Sequence, residues 1–217
     1  LDLANMKYSF NFDRLRRYIR MGRKIGFRRF SMSHLFTQWG AEFTPKIVAS
    51  LRNVDKNTAL NRYGSESEFV SLAGSGAVPI FGWRVRSTSK EYADFLQQLM
   101  PVLLDVLRSE GLTAGTCFFS LSDEPGMNHI STYAQLVAMI RPLLQEFETI
   151  EALSSFEFYK NGLVQNPVPS IAHLEDFRGK TKSRWTYYCC TPEKHAPNRF
   201  IGIPSRRTRM FGTLAWL

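Results

Sequence analysis

Two adjacent carboxylic acids, Asp123 and Glu124, are the side chains of this sequence best suited to catalysis. They come directly after residues 116–121, a short apolar run that predicts a buried parallel strand. Catalytic groups gather at the carboxyl ends of parallel strands, and two repelling carboxylates divide acid–base work when one keeps a proton. The same residues also fit a plain turn in which Asp123 caps the next helix, and both interpretations stay open.

Further polar and aromatic candidates follow two other predicted strands. His34, Gln38 and Trp39 come after residues 27–33, and together they could bind a sugar with the indole stacked on its apolar face. The alternative is a hydrogen-bonded histidine and a core tryptophan. Tyr187 lies in an aromatic run at residues 185–190, which is typical of a core strand, although a tyrosine hydroxyl near a strand end often contacts a ligand.

Metal and cofactor chemistry is not expected from this sequence. The four histidines are scattered, and the adjacent Cys189 and Cys190 have no second pair at zinc-binding spacing. Neither a glycine-rich phosphate motif nor a nucleophile elbow is present. We interpret these two cysteines and Cys117 as small buried apolar residues.

Amphipathic helices alternate with short apolar strands along the chain. Apolar side chains recur at helical spacing in residues 12–25, 92–107 and 133–147, and a last helix is predicted to begin near Ser205. Strands are predicted at residues 27–33, 116–121, 155–159 and 184–189. The alternation predicts an α/β fold with a parallel sheet, either open or closed into a barrel.

The length of 217 residues favours a single domain, and the apolar content of 44% is enough for a core, which excludes a disordered chain. Residues 52–78 do not fit the alternation, since Asn, Ser and Gly occur there without a sustained period. That stretch is too long for a simple connection between a strand and a helix. We expect a poorly ordered loop or an insertion.

The net charge of +9 comes from the two ends of the chain. Residues 1–30 and 176–217 each carry nine basic and two acidic side chains, whereas the middle of the chain is acidic. The first basic cluster falls on a predicted amphipathic helix, where charges form the solvated face, so no nucleic-acid partner is expected. Oligonucleotide binding that persists at physiological salt would contradict this.

No apolar run approaches the roughly 20 residues of a membrane span, so a spanning segment is not expected. Residues 1–7 lack the features of a secretion signal, although a leader outside this sequence stays open. The sequence leaves the compartment, cytoplasmic or secreted, and the oligomeric state undetermined.

Several short runs occur in order along the chain. They are MSHLFTQWG at 32–40, SDEP at 122–125, FEFY at 156–159, WTYYCC at 185–190, PNRF at 197–200 and PS at 204–205. Together they resemble the catalytic domain of glycoside hydrolase family 123-type proteins, which are bacterial. The resemblance covers residues 7–50 and 80–217.

The resemblance implies a (β/α)8 barrel and a retaining β-N-acetylgalactosaminidase without a cofactor. In the implied mechanism the sugar's 2-acetamido oxygen attacks the anomeric carbon. Asp123 would orient the acetamide, and Glu124 would protonate the leaving oxygen and then activate water. The residues that match pocket-lining family positions are His34, Trp39, Tyr187 and Asn198.

The sequence also departs from the family. Ser31 and Ser155 stand where acidic residues are expected, and the first and last barrel strands are missing, which predicts an incomplete barrel. The leading hypothesis is therefore a glycosidase whose partner is a carbohydrate substrate carrying N-acetylgalactosamine. The alternative is an inactive relative that only binds carbohydrate.

Overall fold

A computed structural model of the chain describes residues 1–2, 5–38, 40–50, 77–182, 185–190 and 197–216. Helices and strands alternate through these ranges. In chain order they are α1 (Asp13–Lys24), β1 (Phe30–Met32), β2 (Ile47–Ser50), β3 (Ala77–Phe81), α2 (Lys90–Ser109), β4 (Cys117–Phe119), α3 (Ile130–Leu144), β5 (Glu148–Leu153), α4 (Glu157–Lys160), β6 (Asn166–Pro169), α5 (Leu174–Phe177) and α6 (Ser205–Trp216). In the described ranges no helix is both long and apolar enough to span a membrane.

Four of the strands form a parallel sheet in the order β1-β4-β5-β6. The pairing continues past β6, because Tyr187 N donates to Pro169 O at 3.1 Å and Ile171 N donates to Tyr187 O at 2.8 Å. The predicted α/β fold with a parallel sheet is confirmed. Since the strands are parallel, their carboxyl ends all lie at one edge of the sheet, which we call the carboxyl edge.

β2 and β3 form a separate antiparallel pair that lies between β1 and α2 in the chain. Thr44 anchors its base, where its hydroxyl donates to Gly82 O at 3.0 Å and accepts from Gly82 N at 2.9 Å. Most of the atypical segment 52–78 lies outside the described residues, and residues 77 and 78 belong to β3.

The apolar faces of α2 and α3 form much of the core. Ser89 caps α2, since its side chain accepts a hydrogen bond from Tyr92 N at 3.3 Å. Full burial of each large apolar side chain contributes about 1.5–3 kcal/mol. The core side chains of the two helices and of the β4 region are Tyr92, Phe95, Leu96, Met100, Leu103, Leu104, Leu107, Cys117, Phe119, Leu121, Tyr133, Leu136, Val137, Ile140 and Leu144.

The prediction of a strand at residues 155–159 is wrong. Ser155 Oγ accepts from Glu157 N at 3.3 Å, which starts the short helix α4, and the strand before it is β5. Phe158 is buried against Tyr133, with ring centroids 5.3 Å apart. The aromatic residues of this segment therefore pack as a helical turn, although their alternation resembles that of a strand.

Two of the other predicted strands are confirmed with shorter bounds. β1 is three residues long where residues 27–33 were predicted, and β4 is three residues long where residues 116–121 were predicted. Of the strand predicted at 184–189, the described residues form only the bridge at Tyr187.

Candidate active site

The loop after β4 carries Asp123 and Glu124 to the carboxyl edge, where both side chains are half-buried. Glu124 has a φ of 48°, in the left-handed region that non-glycine residues rarely adopt. Such backbone strain persists where surrounding contacts hold it, and it is concentrated at functional sites. The two adjacent acids therefore occupy a conformation that the neighbouring segments must stabilise.

Glu124 is contacted by the segment that follows α5. The Tyr187 hydroxyl donates a hydrogen bond to Glu124 Oε1, and Cys189 Sγ lies 3.9 Å from the same oxygen. Burial, and after it the Glu124 carboxylate, raises the pKa of Tyr187 well above its usual value. Tyr187 therefore keeps its proton at neutral pH and stays a hydrogen-bond donor towards Glu124.

Asp123 is contacted from the other side, by the loop that follows β1. Gln38 Nε2 donates to Asp123 Oδ2 at 2.9 Å. Ser122 Oγ donates to Thr37 O at 2.7 Å, which ties the two loops together. Different partners therefore hold the two carboxylates, and the loop between them is fixed to the β1 loop.

The remaining predicted residues have different surroundings. His34 is exposed, and its side chain makes no hydrogen bond with the described part of the chain. Asn198 is buried and donates from Nδ2 to Cys189 O at 2.9 Å, next to the Glu124 contact. Trp39 lies outside the described residues. The structure thus brings together Asp123, Glu124 and Tyr187.

Glu151 on β5 is a buried acid beside the site that the sequence analysis missed. Its Oε2 accepts hydrogen bonds from Ser122 N at 2.9 Å, Leu121 N at 3.2 Å and the Tyr133 hydroxyl at 3.0 Å. Its Oε1 lies 3.2 Å from Ser120 Oγ. Burial raises the pKa of Glu151 to about 8, and the surrounding donors oppose that shift.

The interpretation of the cysteines holds for Cys117, which is buried, and is wrong for Cys189 and Cys190. Those two lie beyond the last sheet pairing at Tyr187, so they are exposed, with their Sγ atoms 3.8 Å apart. Over the ranges that the structure describes, no three His, Cys, Asp or Glu side chains are grouped so that they could hold a metal ion.

Comparison with known families shows to which family the chain belongs. The family model of the glycoside hydrolase 123 catalytic domain matches residues 3–217. The chain belongs to glycoside hydrolase family 123. Its membership confirms the resemblance, and the match also runs through residues 51–79, which the resemblance leaves out.

A search among curated proteins finds no match to the chain. Membership of glycoside hydrolase family 123 implies a glycosidase, and a glycosidase acts on a carbohydrate substrate. In this glycoside hydrolase 123 domain, the acids on the loop after β4 have the chemistry that glycoside hydrolysis needs, because a proton must reach the leaving oxygen.

Proposed function

We propose that this domain hydrolyses terminal β-linked N-acetylgalactosamine with retention of configuration, through attack by the sugar's own acetamido oxygen. The observation that supports this most is the adjacency of Asp123 and Glu124 on one loop, each contacted by a different side chain. Because the acetamido oxygen is the nucleophile, the enzyme needs no carboxylate nucleophile on the opposite face of the sugar. Such substrate-assisted hydrolysis is a known exception to the scheme with two separated carboxylates.

Asp123 orients the nucleophile in this mechanism. Its carboxylate accepts the N–H of the 2-acetamido group, so that the carbonyl oxygen of the acetamide points at the anomeric carbon. That oxygen forms a bond to the carbon while the bond to the leaving oxygen breaks. The resulting oxazolinium ion carries a positive charge that the Asp123 carboxylate stabilises. The Gln38 amide, 2.9 Å from Asp123 Oδ2, fixes the orientation of the carboxylate.

Glu124 moves the proton in both steps. It first gives a proton to the leaving oxygen, and it then takes a proton from the water that attacks the anomeric carbon. The second attack reopens the oxazolinium ring and regenerates the acetamide. Two displacements at the same carbon retain the configuration. The Tyr187 hydroxyl, hydrogen-bonded to Glu124 Oε1, holds this carboxyl group for both transfers.

The parallel sheet is, on this proposal, part of a (β/α)8 barrel. Neighbouring strands of the sheet stand in the same order as in the chain, from β1 through β4, β5 and β6 to Tyr187. Each connection between neighbours contains a helix. A doubly wound sheet instead reverses its strand order at the ligand-binding crevice. Both architectures place ligand sites at the carboxyl ends of the strands, so the unreversed strand order is the feature that supports a barrel.

The test is turnover of a chromogenic N-acetyl-β-galactosaminide. Glu124→Gln keeps the size of the side chain but cannot supply a proton, so kcat/KM is expected to fall by about 10²–10⁴-fold. Asp123→Asn is expected to lose about 10²–10³-fold and to bind an oxazoline-mimicking thiazoline more weakly. Fluorination of the acetamide, which weakens its oxygen as a nucleophile, is expected to slow the wild type.

Glu146→Gln is the matched control, because Glu146 is an exposed acid that pairs with Arg108 at 2.8 Å, away from the loop after β4. Its activity is expected to equal that of the wild type. Unchanged turnover in Glu124→Gln would reject Glu124 as the acid. Saturable binding of N-acetylgalactosamine without any turnover would instead select the alternative, a protein that only binds carbohydrate.

A further inference from the structure

Glu151 touches the backbone of the loop that carries the two candidate catalytic acids. It is 2% exposed, and it lies on the same face of β5 as the buried Thr149 and Leu153. From there its Oε2 accepts from two consecutive backbone N–H groups, those of Leu121 and Ser122. Ser122 directly precedes Asp123, so the carboxyl group of Glu151 fixes the chain immediately before the site.

The hydrogen atoms around Glu151 can be counted. Ser120 Oγ is 2.8 Å from Ser122 O and 3.2 Å from Glu151 Oε1. A hydroxyl group has one hydrogen, a backbone carbonyl can only accept, and Ser122 O is the nearer of the two oxygens, so we assign the Ser120 hydrogen to Ser122 O. The contact between Ser120 Oγ and Glu151 Oε1 is then a hydrogen bond only if Glu151 supplies the proton.

The groups that contact Glu151 also favour its neutral form. Tyr133 on α3 is the titratable side chain that hydrogen-bonds to it, and Arg141 on the same helix acts on Tyr133. From β4 the carboxyl group meets the Ser120 hydroxyl and backbone N–H groups, which are neutral. Asp123 and Glu124 follow one and two residues after Ser122 on the same loop, and they make their hydrogen bonds with other side chains, Gln38 and Tyr187.

We propose that Glu151 is a positioning residue, held as a neutral carboxylic acid, that fixes the loop bearing Asp123 and Glu124. One oxygen accepts from the loop backbone while the other donates through Ser120 to the carbonyl of Ser122. The backbone N–H and the backbone carbonyl of Ser122 are thereby both tied to one side chain. The inference rests on the proposed hydrolysis in so far as the loop is catalytic.

Glu151→Gln is the informative variant, because a glutamine side chain can reproduce a neutral acid. Its amide oxygen can accept from Ser122 N, and its NH2 group can donate to Ser120 Oγ. We expect kcat and KM at neutral pH close to those of the wild type. Glu151→Asp keeps the chemistry but shortens the side chain, so the loop loses its support and kcat is expected to fall by about 10²-fold with a smaller change in KM.

Glu148→Gln is the matched control on the same strand. Glu148 accepts from Asn166 Nδ2 at 2.9 Å and does not contact the loop, so its replacement is expected to leave kcat unchanged. Thermal unfolding of each variant separates loss of the fold from loss of loop position. Should Glu151→Asp fail to fold, Ser120→Ala replaces it, because that change removes the acceptor of the Glu151 proton and the link to Ser122 O.

A second measurement does not depend on turnover. Carbon-13 NMR of the side-chain carboxyl groups, assigned by comparison with Glu151→Gln, is expected to give a Glu151 signal typical of a protonated acid at pH 6. An ionised Glu151 at pH 6 would overturn the inference. The inference would also be overturned if Glu151→Gln folds but its kcat falls as much as that of Glu151→Asp. A wild type that cleaves no galactosaminide would reject the proposed function, whereas the NMR result would still decide the protonation of Glu151.

Discussion

Glu110 and Glu151 are both buried, at 8% and 2% exposed, yet their pKa values shift in opposite directions. Glu110, just after α2, accepts from Arg20 Nε and Nη2 at 2.8 and 2.7 Å and from Arg16 Nη1 at 2.8 Å. These hydrogen bonds, first that of Arg20 and then that of Arg16, lower the pKa of Glu110 to about 2. Burial raises the pKa of Glu151 to about 8.

The contrast teaches that partner charge and depth of burial together decide the protonation of these acids, because arginine side chains cover Glu110 whereas Glu151 lies in the interior. Glu110 has two guanidinium groups, whose positive charge favours the carboxylate. The described hydrogen-bond partners of Glu151 are a phenol, a hydroxyl and two peptide groups, which are neutral. The first acid stabilises the amino-terminal side of β4 as an ion, and the second supports the carboxyl edge as a neutral group.

The largest expected effect that tests this comparison is the pH dependence of stability at Glu151. A raised folded-state pKa contributes stability that is fully present below the usual value of 4.5 and is lost as the pH rises to about 8. Over that window the wild type is expected to lose up to about 1.4 kcal/mol of unfolding free energy per pH unit relative to Glu151→Gln. Urea unfolding of both proteins at pH 5, 6, 7 and 8 measures the difference.

Glu148→Gln controls for changes on β5 that do not reach the loop, and its stability is expected to follow that of the wild type with pH. High salt is expected to leave the Glu151 effect unchanged, since the partners that the described residues supply to Glu151 are neutral. Parallel stability curves for the wild type and Glu151→Gln would show that Glu151 has the same proton affinity folded and unfolded.

Glu110→Gln is the opposite experiment, and its effect is expected to be smaller. A lowered folded-state pKa contributes stability that is present above 4.5 and is lost as the pH falls to about 2. The wild type is expected to exceed Glu110→Gln by about 1 kcal/mol at pH 7 and to lose that advantage in acid. High salt should weaken the advantage, because Arg20 is largely exposed. An advantage that survives both acid and salt would contradict the ionic account.

The helices were predictable because their buried apolar side chains recur at helical spacing. Along α2, buried side chains such as Tyr92, Phe95 and Leu96 recur at helical spacing, so the sequence alone indicates that helix. β5 escaped prediction because Glu151 interrupts its apolar alternation. A glutamate is compatible with a buried strand position only when the rest of the chain supplies donors, and no local pattern reports them.

In the candidate site, too, features set by local sequence position were predictable and features set by distant contacts were not. Asp123 and Glu124 could be predicted from their positions after a predicted strand, and Tyr187 from its place near the end of another, since parallel strands bring such positions to one edge. The partners that hold them could not. Gln38 reaches Asp123 across 85 residues of chain, and Glu151 reaches Ser122 across 29. Which of several acids or amides makes such contacts depends on the packing of loops and strands, which one sequence does not encode in any short spacing.

Tyr133→Phe is expected to have the smallest effect, and it tests whether the neutral donors alone tune Glu151. The change removes one hydrogen bond to Glu151 Oε2 and is expected to lower the unfolding free energy by about 1 kcal/mol at pH 6. Because that hydrogen bond lowers the pKa of Glu151, its loss should move the NMR titration of Glu151 to higher pH. Tyr159→Phe, on α4, removes a hydroxyl away from Glu151 and should leave the titration unchanged. A shift to lower pH in Tyr133→Phe would mean that water enters the space left by the hydroxyl and solvates the carboxylate better than the phenol does.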